Sequence, residues 1–336
     1  MVRSRVVSRA LLVCIFLAVG CSGIAATPTP SQAPTPTSAP TLSPSPSPAS
    51  SPLTPAVIEV GHGPCAIAEL DGSIWVTNYG DGTLSRIDPV TNAVDDPIQI
   101  GSNPCGLSAF DGALWVGILG TDEVVRFDSQ SGTVTDRVDV GGDPWDVQQG
   151  FGSIWVAVQG TDQVMRIDPA DGSVLASISA GSIVVGLAVT SREVWVANSL
   201  SGTIARIDPG TNTIAGEIVL PADPSWFAVG PQTVLVTLSS NGKAVLIDQA
   251  TARVITTTTV GLTPRDPGFV GGNYWVTNEG SADVQVLDAN DGTVLGVFTP
   301  PDASGIFVAE GLLGDGWIES FSGTRVSRLA AETGLP

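Results

Sequence analysis

Histidine is nearly missing from this chain, with His62 alone in 336 residues, and lysine is as scarce, with Lys243 alone. A single histidine cannot supply both the acid and the base of a proton-transfer pair, and no nucleophile–His–Asp set can be assembled around it. Positive charge is thin overall: 14 Lys and Arg stand against 33 Asp and Glu. Every acid follows Pro55, whereas Arg3, Arg5 and Arg9 precede it, so the segment from Ala56 onward has a formal charge of −22. Nucleic acid is thereby excluded as a partner, because phosphate binding needs clustered cations that displace counterions. Anionic lipid surfaces would repel the same segment. A solvated acidic surface is the expected reading, with cation binding as the second. Long apolar runs are lacking too. The longest near the start, Leu11–Gly20, has ten residues, and a spanning helix needs about 18 or more.

What the first 55 residues do contain is a leader and a spacer. Three Arg, then the short apolar run, then small residues read as a secretory signal. Leu17-Ala18-Val19-Gly20-Cys21 resembles a lipobox, which implies lipid on Cys21 and a boundary at residues 1–21; cleavage near Ala25-Ala26 and free secretion is the alternative. Residues 22–55 follow as a stalk. Of the 29 residues in Thr27–Pro55, 23 are Pro, Ser or Thr, a composition that cannot bury apolar surface and stays extended, reaching roughly 90 Å at most. The expected location is the outer face of a bacterial cytoplasmic membrane, touched through the lipid alone.

Residues 56–336 repeat with a period of 40. Asp88, Asp128, Asp168, Asp208, Asp248 and Asp288 keep that spacing, as do Trp75, Trp115, Trp155 and Trp195, then Leu235 and Trp275, with Trp317 closing the series at 42. Pro64, Pro104, Pro144, Pro224 and Pro264 form a third column, with Val184 and Ser304 in the other two units. Each unit holds four strand-like runs. In the first they are Ala66–Leu70, Ser73–Thr77 after an Asp71-Gly72 turn, Thr83–Asp88, and Ala93–Ile100. Four short antiparallel strands per unit make a propeller blade. Seven units, the last ending after its third strand, predict an all-β seven-bladed β-propeller. Its missing edge is filled by the N-terminal strand Ala56–Val60.

These units resemble the YVTN-type repeat of bacterial and archaeal surface propellers. Ile74-Trp75-Val76-Thr77-Asn78 and Thr83-Leu84-Ser85-Arg86-Ile87-Asp88-Pro89 carry the resemblance, echoed at Tyr274-Trp275-Val276-Thr277-Asn278. It implies the fold over Ala56 to about Gly334 and leaves function open, since such propellers serve many ends.

The columns separate structural positions from candidate sites. Asp at the end of each third strand suits a turn in which it bonds its own backbone, and Asp168-Pro169-Ala170-Asp171-Gly172 lacks a calcium loop, so no metal site is expected. Arg86, Arg126, Arg166, Arg206 and Arg328 each lie eleven residues after a Trp, a spacing that puts guanidinium beside indole on adjacent strands. Where Trp becomes Leu235, the Arg position becomes Leu246. Cys65 and Cys105 share one column and are either bridged or free and buried.

The informative columns follow the Pro. The first reads Cys65, Cys105, Trp145, Val185, Ser225, Arg265, Gly305, and the next Ala66, Gly106, Asp146, Gly186, Trp226, Asp266, Ile306. Trp145, Asp146, Trp226, Arg265 and Asp266 break a small-residue pattern where propellers open their central channel. They are either a ligand site or drift in a permissive loop. The expected function is a non-catalytic binding or scaffold module, monomeric and without cofactor, taking a glycan, peptide or protein ligand at that mouth. The alternative is an enzyme similar to the streptogramin (virginiamycin B) lyases, which share the fold and use His and Glu with magnesium. His62 has no second histidine beside it, so no catalytic residue is carried over. A quinone-cofactor propeller would need supporting clusters that the sequence lacks.

Overall fold

A computed structural model describes residues 55–303 and 305–331. The leader at 1–21 with Cys21, and the stalk up to residue 54, lie outside the described residues. The described chain forms seven four-stranded antiparallel sheets. Six contain four consecutive strands; the seventh joins the last three strands of the chain to the N-terminal one, with Ala56–Glu59 beside Arg325–Ala330. The ring is closed by the strand the sequence assigns to it. Within each blade the strands are named A to D outward from the channel, because the A strands of successive blades pack on one another.

The B strands show why the sheets form. Ser73–Asn78, Ala113–Ile118, Ser153–Val158 and Thr233–Leu238 are buried at every position, as expected where both sheet faces are covered by neighbouring blades. Trp115, Trp155, Trp195, Trp275 and Trp317 are wholly inaccessible. Each cluster of apolar side chains joins parts of adjacent blades. At the closing joint, Ile58, Trp317 and Val326 of blade seven meet Ile67, Ile74 and Val76 of blade one. The A–B hairpins use the backbone that their residues favour: Asp71 and Gly72 both have positive φ, 53° and 72°, the signature of a type I′ turn. The Asp column ends strand C as expected. Asp88, Asp128, Asp168, Asp208 and Asp288 accept a hydrogen bond from the N–H two residues on, at 2.7–3.1 Å, and Asp248 accepts from Thr251 at 2.8 Å.

The Trp–Arg pairs lie directly across strands B and C, including Trp75↔Arg86, Trp155↔Arg166 and Trp317↔Arg328. In these three the guanidinium carbon stands 4.9–5.6 Å from the indole centroid. Arg126 instead donates to Thr135, and Arg206 pairs with Glu193 at 3.1 Å. Two of the arginines reach further. Arg166 donates to the Pro209 carbonyl and to Asn212 Oδ1, on the next blade, at 2.6 and 2.8 Å. Arg328 donates likewise to the Pro89 carbonyl and Asn92 Oδ1 of blade one, and its other nitrogens hold Asp315.

Two expectations need correction. Strand D of blade one is Ile98–Gln99 rather than Ala93–Ile100, with a lone bridge from Val94 to Ile87. Pro97 cannot donate to a ladder, and Asp95 turns to Arg86, 3.7 Å away. In blade seven, Ile306 pairs with Ser320 as Pro64 pairs with Asn78. Ile306 therefore takes the place given to Ser304, and the two columns after it move from Gly305 and Ile306 to Phe307 and Val308. The 42-residue spacing to Trp317 is the cause.

Candidate functional site

Strand A begins with a β-bulge in six of the blades. Pro64 faces Asn78 but Ala66 faces Thr77, leaving Cys65 as the extra residue; Trp145 is extra in the same way between Pro144 and Asp146. Corresponding shifts fall at Pro104/Leu107, Val184/Leu187 and Pro224/Phe227. A bulge re-aims side chains out of the sheet's alternation. That is why the two variable columns open on the channel. Their small members have a packing duty. A Cβ on Gly106 would come 2.8 Å from the Trp145 carbonyl, and one on Gly186 would come 2.5 Å from the Ser225 carbonyl. Glycine on blades two and four makes room for the bulges that carry Trp145 and Trp226.

The structure brings Trp145, Trp226 and Arg265 together on one cavity of about 440 Å³ at the channel mouth, with Val185, Ser225 and Phe321. Trp226 is 8% exposed and Trp145 half-buried. Arg265 is held by Glu279, with Nη2–Oε2 at 2.6 Å and Nε–Oε2 at 2.7 Å. Asp146 and Asp266 sit one level deeper than expected. They line a waist of about 40 Å³ below the mouth, together with Gln148, Glu310 and the two indoles. A third cavity of about 490 Å³ opens beyond it, past Gln148, Glu310 and Phe269.

The waist is acidic and narrow, with Asp146, Asp266 and Glu310 half-buried. Asp146 accepts from the Leu187 N–H at 2.7 Å and from Gln148 Nε2 at 3.1 Å, yet burial pushes its carboxyl up to about 6. Burial, with the Asp146 charge second, pushes Glu310 up to about 8. Asp266 is raised well above the carboxylate range by burial and by Glu310, Asp146 and Glu319. Glu319 is raised in turn by burial and Glu310. Glu319 is fully buried, and neither of its carboxylate oxygens has a hydrogen-bond partner.

Glu310, Glu319 and Gln148 escaped the sequence reading. Counted from Trp317 rather than by the 40-residue period, Glu310 falls in the column of Ala68, Ser108, Gln148, Ala188, Ala228 and Gly268. Glu319 falls in that of Thr77, Gly117, Ala157, Ala197, Thr237 and Thr277. Carboxylates in columns otherwise free of charge were the available signal. Cys65 and Cys105 are joined by a disulfide, their Cα atoms 5.1 Å apart, beside Trp145 and Phe321. His62 is exposed on the first inter-blade turn, where its backbone N–H donates to Asp81 at 2.7 Å.

No protein-family model matches the chain, and no curated protein sequence matches it. Solved structures do. Virginiamycin B lyase from Staphylococcus aureus superposes with a TM-score of 0.72 at 14% identity, over 82% of this chain and 99% of that one. A catalytically inactive variant of that lyase with quinupristin gives 0.72 at 16% identity, over the same shares. The Cps50 (Swd1) β-propeller domain from Myceliophteria thermophila gives 0.69 at 14%, over 81% of this chain and 98% of that one. At such identities the likeness carries the architecture and nothing finer: the chain is a seven-bladed β-propeller of four-stranded blades.

Proposed function

We propose that this chain is a binding propeller of the bacterial cell envelope, held to the membrane by lipid on Cys21 and taking its ligand at the channel mouth. The observation that carries the reading is the cavity between Trp145, Trp226 and Arg265. Two aromatic faces give a ligand stacking surface, and a guanidinium fixed by Glu279 gives it directional donors. Neither residue type is needed for the fold there, since other blades carry Cys, Val, Ser or Gly at the same positions. Glycans and aromatic peptides suit such a surface. A polyanion does not, against a charge of −22. The resemblance to YVTN-type surface propellers supports the envelope placement, as do the lipobox and the stalk.

Glycan and peptide arrays probed with the wild type and with Trp145→Ala and Arg265→Ala test the mouth. Hits lost in both variants are expected; hits that survive both would put the site elsewhere. Fatty-acid analogue labelling tests the anchor. The wild type should be tagged and Cys21→Ser should not, and an untagged wild type recovered from the medium would overturn the lipid reading.

The second reading is a streptogramin lyase, favoured by the likeness to virginiamycin B lyase. His62 stands alone in the sequence and exposed on its turn, so no second histidine can complete a set built on it. Incubation with quinupristin, followed by chromatography, should leave the compound intact; its consumption would move the protein into that class.

A further inference from the structure

The mouth has two unlike sides, and the column just after strand B divides them. It reads Tyr79, Leu119, Gln159, Ser199, Ser239, Glu279 and, counted from Trp317, Phe321. Its apolar members, on blades seven, one and two, pack against the Cys65–Cys105 disulfide together with Trp145. Its polar members stand on blades three to six, where Gln159, Ser199 and Ser239 line the mouth beside Asp223 and Arg265. We infer that the mouth takes a pyranose ring of a neutral glycan. One C–H face of the ring rests on Trp145 and Phe321, and its vicinal hydroxyls meet Gln159, Ser199 and Asp223. The inference deepens the reading of the mouth as a binding site and rests on it.

The chemistry of the two sides argues for a sugar, a ring apolar on its face and hydroxylated at its edge. Its C–H groups carry slight positive charge and suit the negative face of an indole. Each hydroxyl both donates and accepts, and the polar arc answers in kind. Gln159 and Ser199 do both, Asp223 accepts and Arg265 donates. A peptide N–H only donates and a peptide carbonyl only accepts, so neither uses such a set in full. Gln159 and Ser199 are half-buried, and among the described residues their side chains have no hydrogen-bond partner. Asp223 has one oxygen committed to Ser240 Oγ. Arg265 is neutralised by Glu279, so the arc offers hydroxyls a partner and an acidic sugar no net positive charge. Ile183 is an independent sign that the rim is kept for contact. It holds left-handed backbone, φ 54°, where blades one and two have Gly63 and Asn103 at 68° and 55°, residues that adopt it cheaply. A β-branched side chain there is strained. This one stays 39% exposed at the mouth, so burial does not offset the cost.

An array of neutral, sialylated and sulfated glycans and of peptides, probed with the full chain, tests this. Neutral glycans should bind. Periodate treatment of the array, which cleaves vicinal diols to dialdehydes, should abolish those hits. Gln159→Ala combined with Ser199→Ala should weaken binding about tenfold, the scale of one or two lost hydrogen bonds. Trp145→Ala should weaken it at least as much, whereas Trp145→Phe keeps a stacking face and most of the affinity. Gln159 and Ser199 lie outside the apolar clusters, so their variant gives a folded comparison even where Trp145→Ala melts early. Peptide hits alone, lost in Trp145→Ala, would overturn the sugar and leave the mouth standing. Glycan hits that survive every variant would overturn the mouth itself. Hits indifferent to periodate, a preference for sialylated or sulfated glycans, or no neutral glycan bound would each overturn the inference.

Discussion

A single side chain does two jobs in the Arg column. On its own blade the guanidinium lies over an indole; in Arg166 and Arg328 it also crosses to the next blade and holds the turn there. The receiving turns carry Asn212 and Asn92, both with left-handed backbone, at φ 57° and 58°. Asparagine tolerates that conformation and presents an acceptor as well. Arg328 is the more exacting case, because it and Asp315 are only 5% and 8% exposed. Arg328→Leu should cost roughly 3–5 kcal/mol, since Asp315 is left buried without a counter-ion. Arg328→Leu with Asp315→Leu should recover part of that loss. Urea denaturation measures both, and an unchanged midpoint in the single variant would remove the clamp from the account. The glycine beneath a bulge makes a second prediction. Gly186→Ala drives a Cβ to 2.5 Å from the Ser225 carbonyl, and backbone must shift. A loss of about 1–3 kcal/mol is expected, together with weakened binding at the mouth, because the displaced segment carries Trp226.

Among elements, the closing strand is the clearest test of how the ring holds. Ala56–Glu59 contributes four residues, of which Ile58 is 4% exposed and packed against both blade seven and blade one. Ile58→Ala should cost about 2–4 kcal/mol by the cavity it leaves. Glu59→Ala should cost far less, because its bond to Arg325 lies in solvent. Melting curves that rank the two the other way would show that the strand is held by its edge charge and not by its apolar face. The elements were legible where the chemistry repeats. Trp at 40-residue intervals needs a buried slot in every blade, and Asp needs a turn, so blade number and strand order follow from spacing. What escaped was set by local departures. Pro97 cut strand D of blade one to two residues. The extra length in blade seven shifted its columns by two and hid Glu310 and Glu319 from a count by forties. The depth of Asp146 was hidden for another reason: a one-residue bulge beside it decides it, and no composition signal marks a bulge.

For the molecule as a whole, the buried acids set the response to pH. Asp146 and Glu310 are raised from 3.8 and 4.5 to about 6 and about 8. The folded state therefore binds more protons than the unfolded chain between those limits. The stability these groups contribute is complete below their unfolded values and is lost as pH rises through 6 and then 8. Asp88, Asp128 and Asp248 are shifted the opposite way by backbone and side-chain hydrogen bonds, and their contribution disappears as pH falls below about 4. The ligand-free protein should be most stable in mild acid and should melt at falling temperatures from pH 5 to pH 9. Glu310→Gln should flatten the alkaline limb. A wild-type profile that rises over that range would mean the waist acids are already compensated.

The pairing of Ala56 with Arg328 joins residues 272 positions apart, and this has a bearing on biogenesis. The strand that seals the ring leaves the ribosome before any blade exists, and its partner arrives last. Six blades can stack as they emerge, but the seventh interface cannot form until nearly the entire chain has been delivered. Loop closure on that scale is slow to find and late to form. Nascent or truncated chains should thus share one vulnerability whatever their length, an unsealed pair of blade faces open to proteases. Resistance should appear abruptly once the strand through Ala330 is present, rather than growing blade by blade.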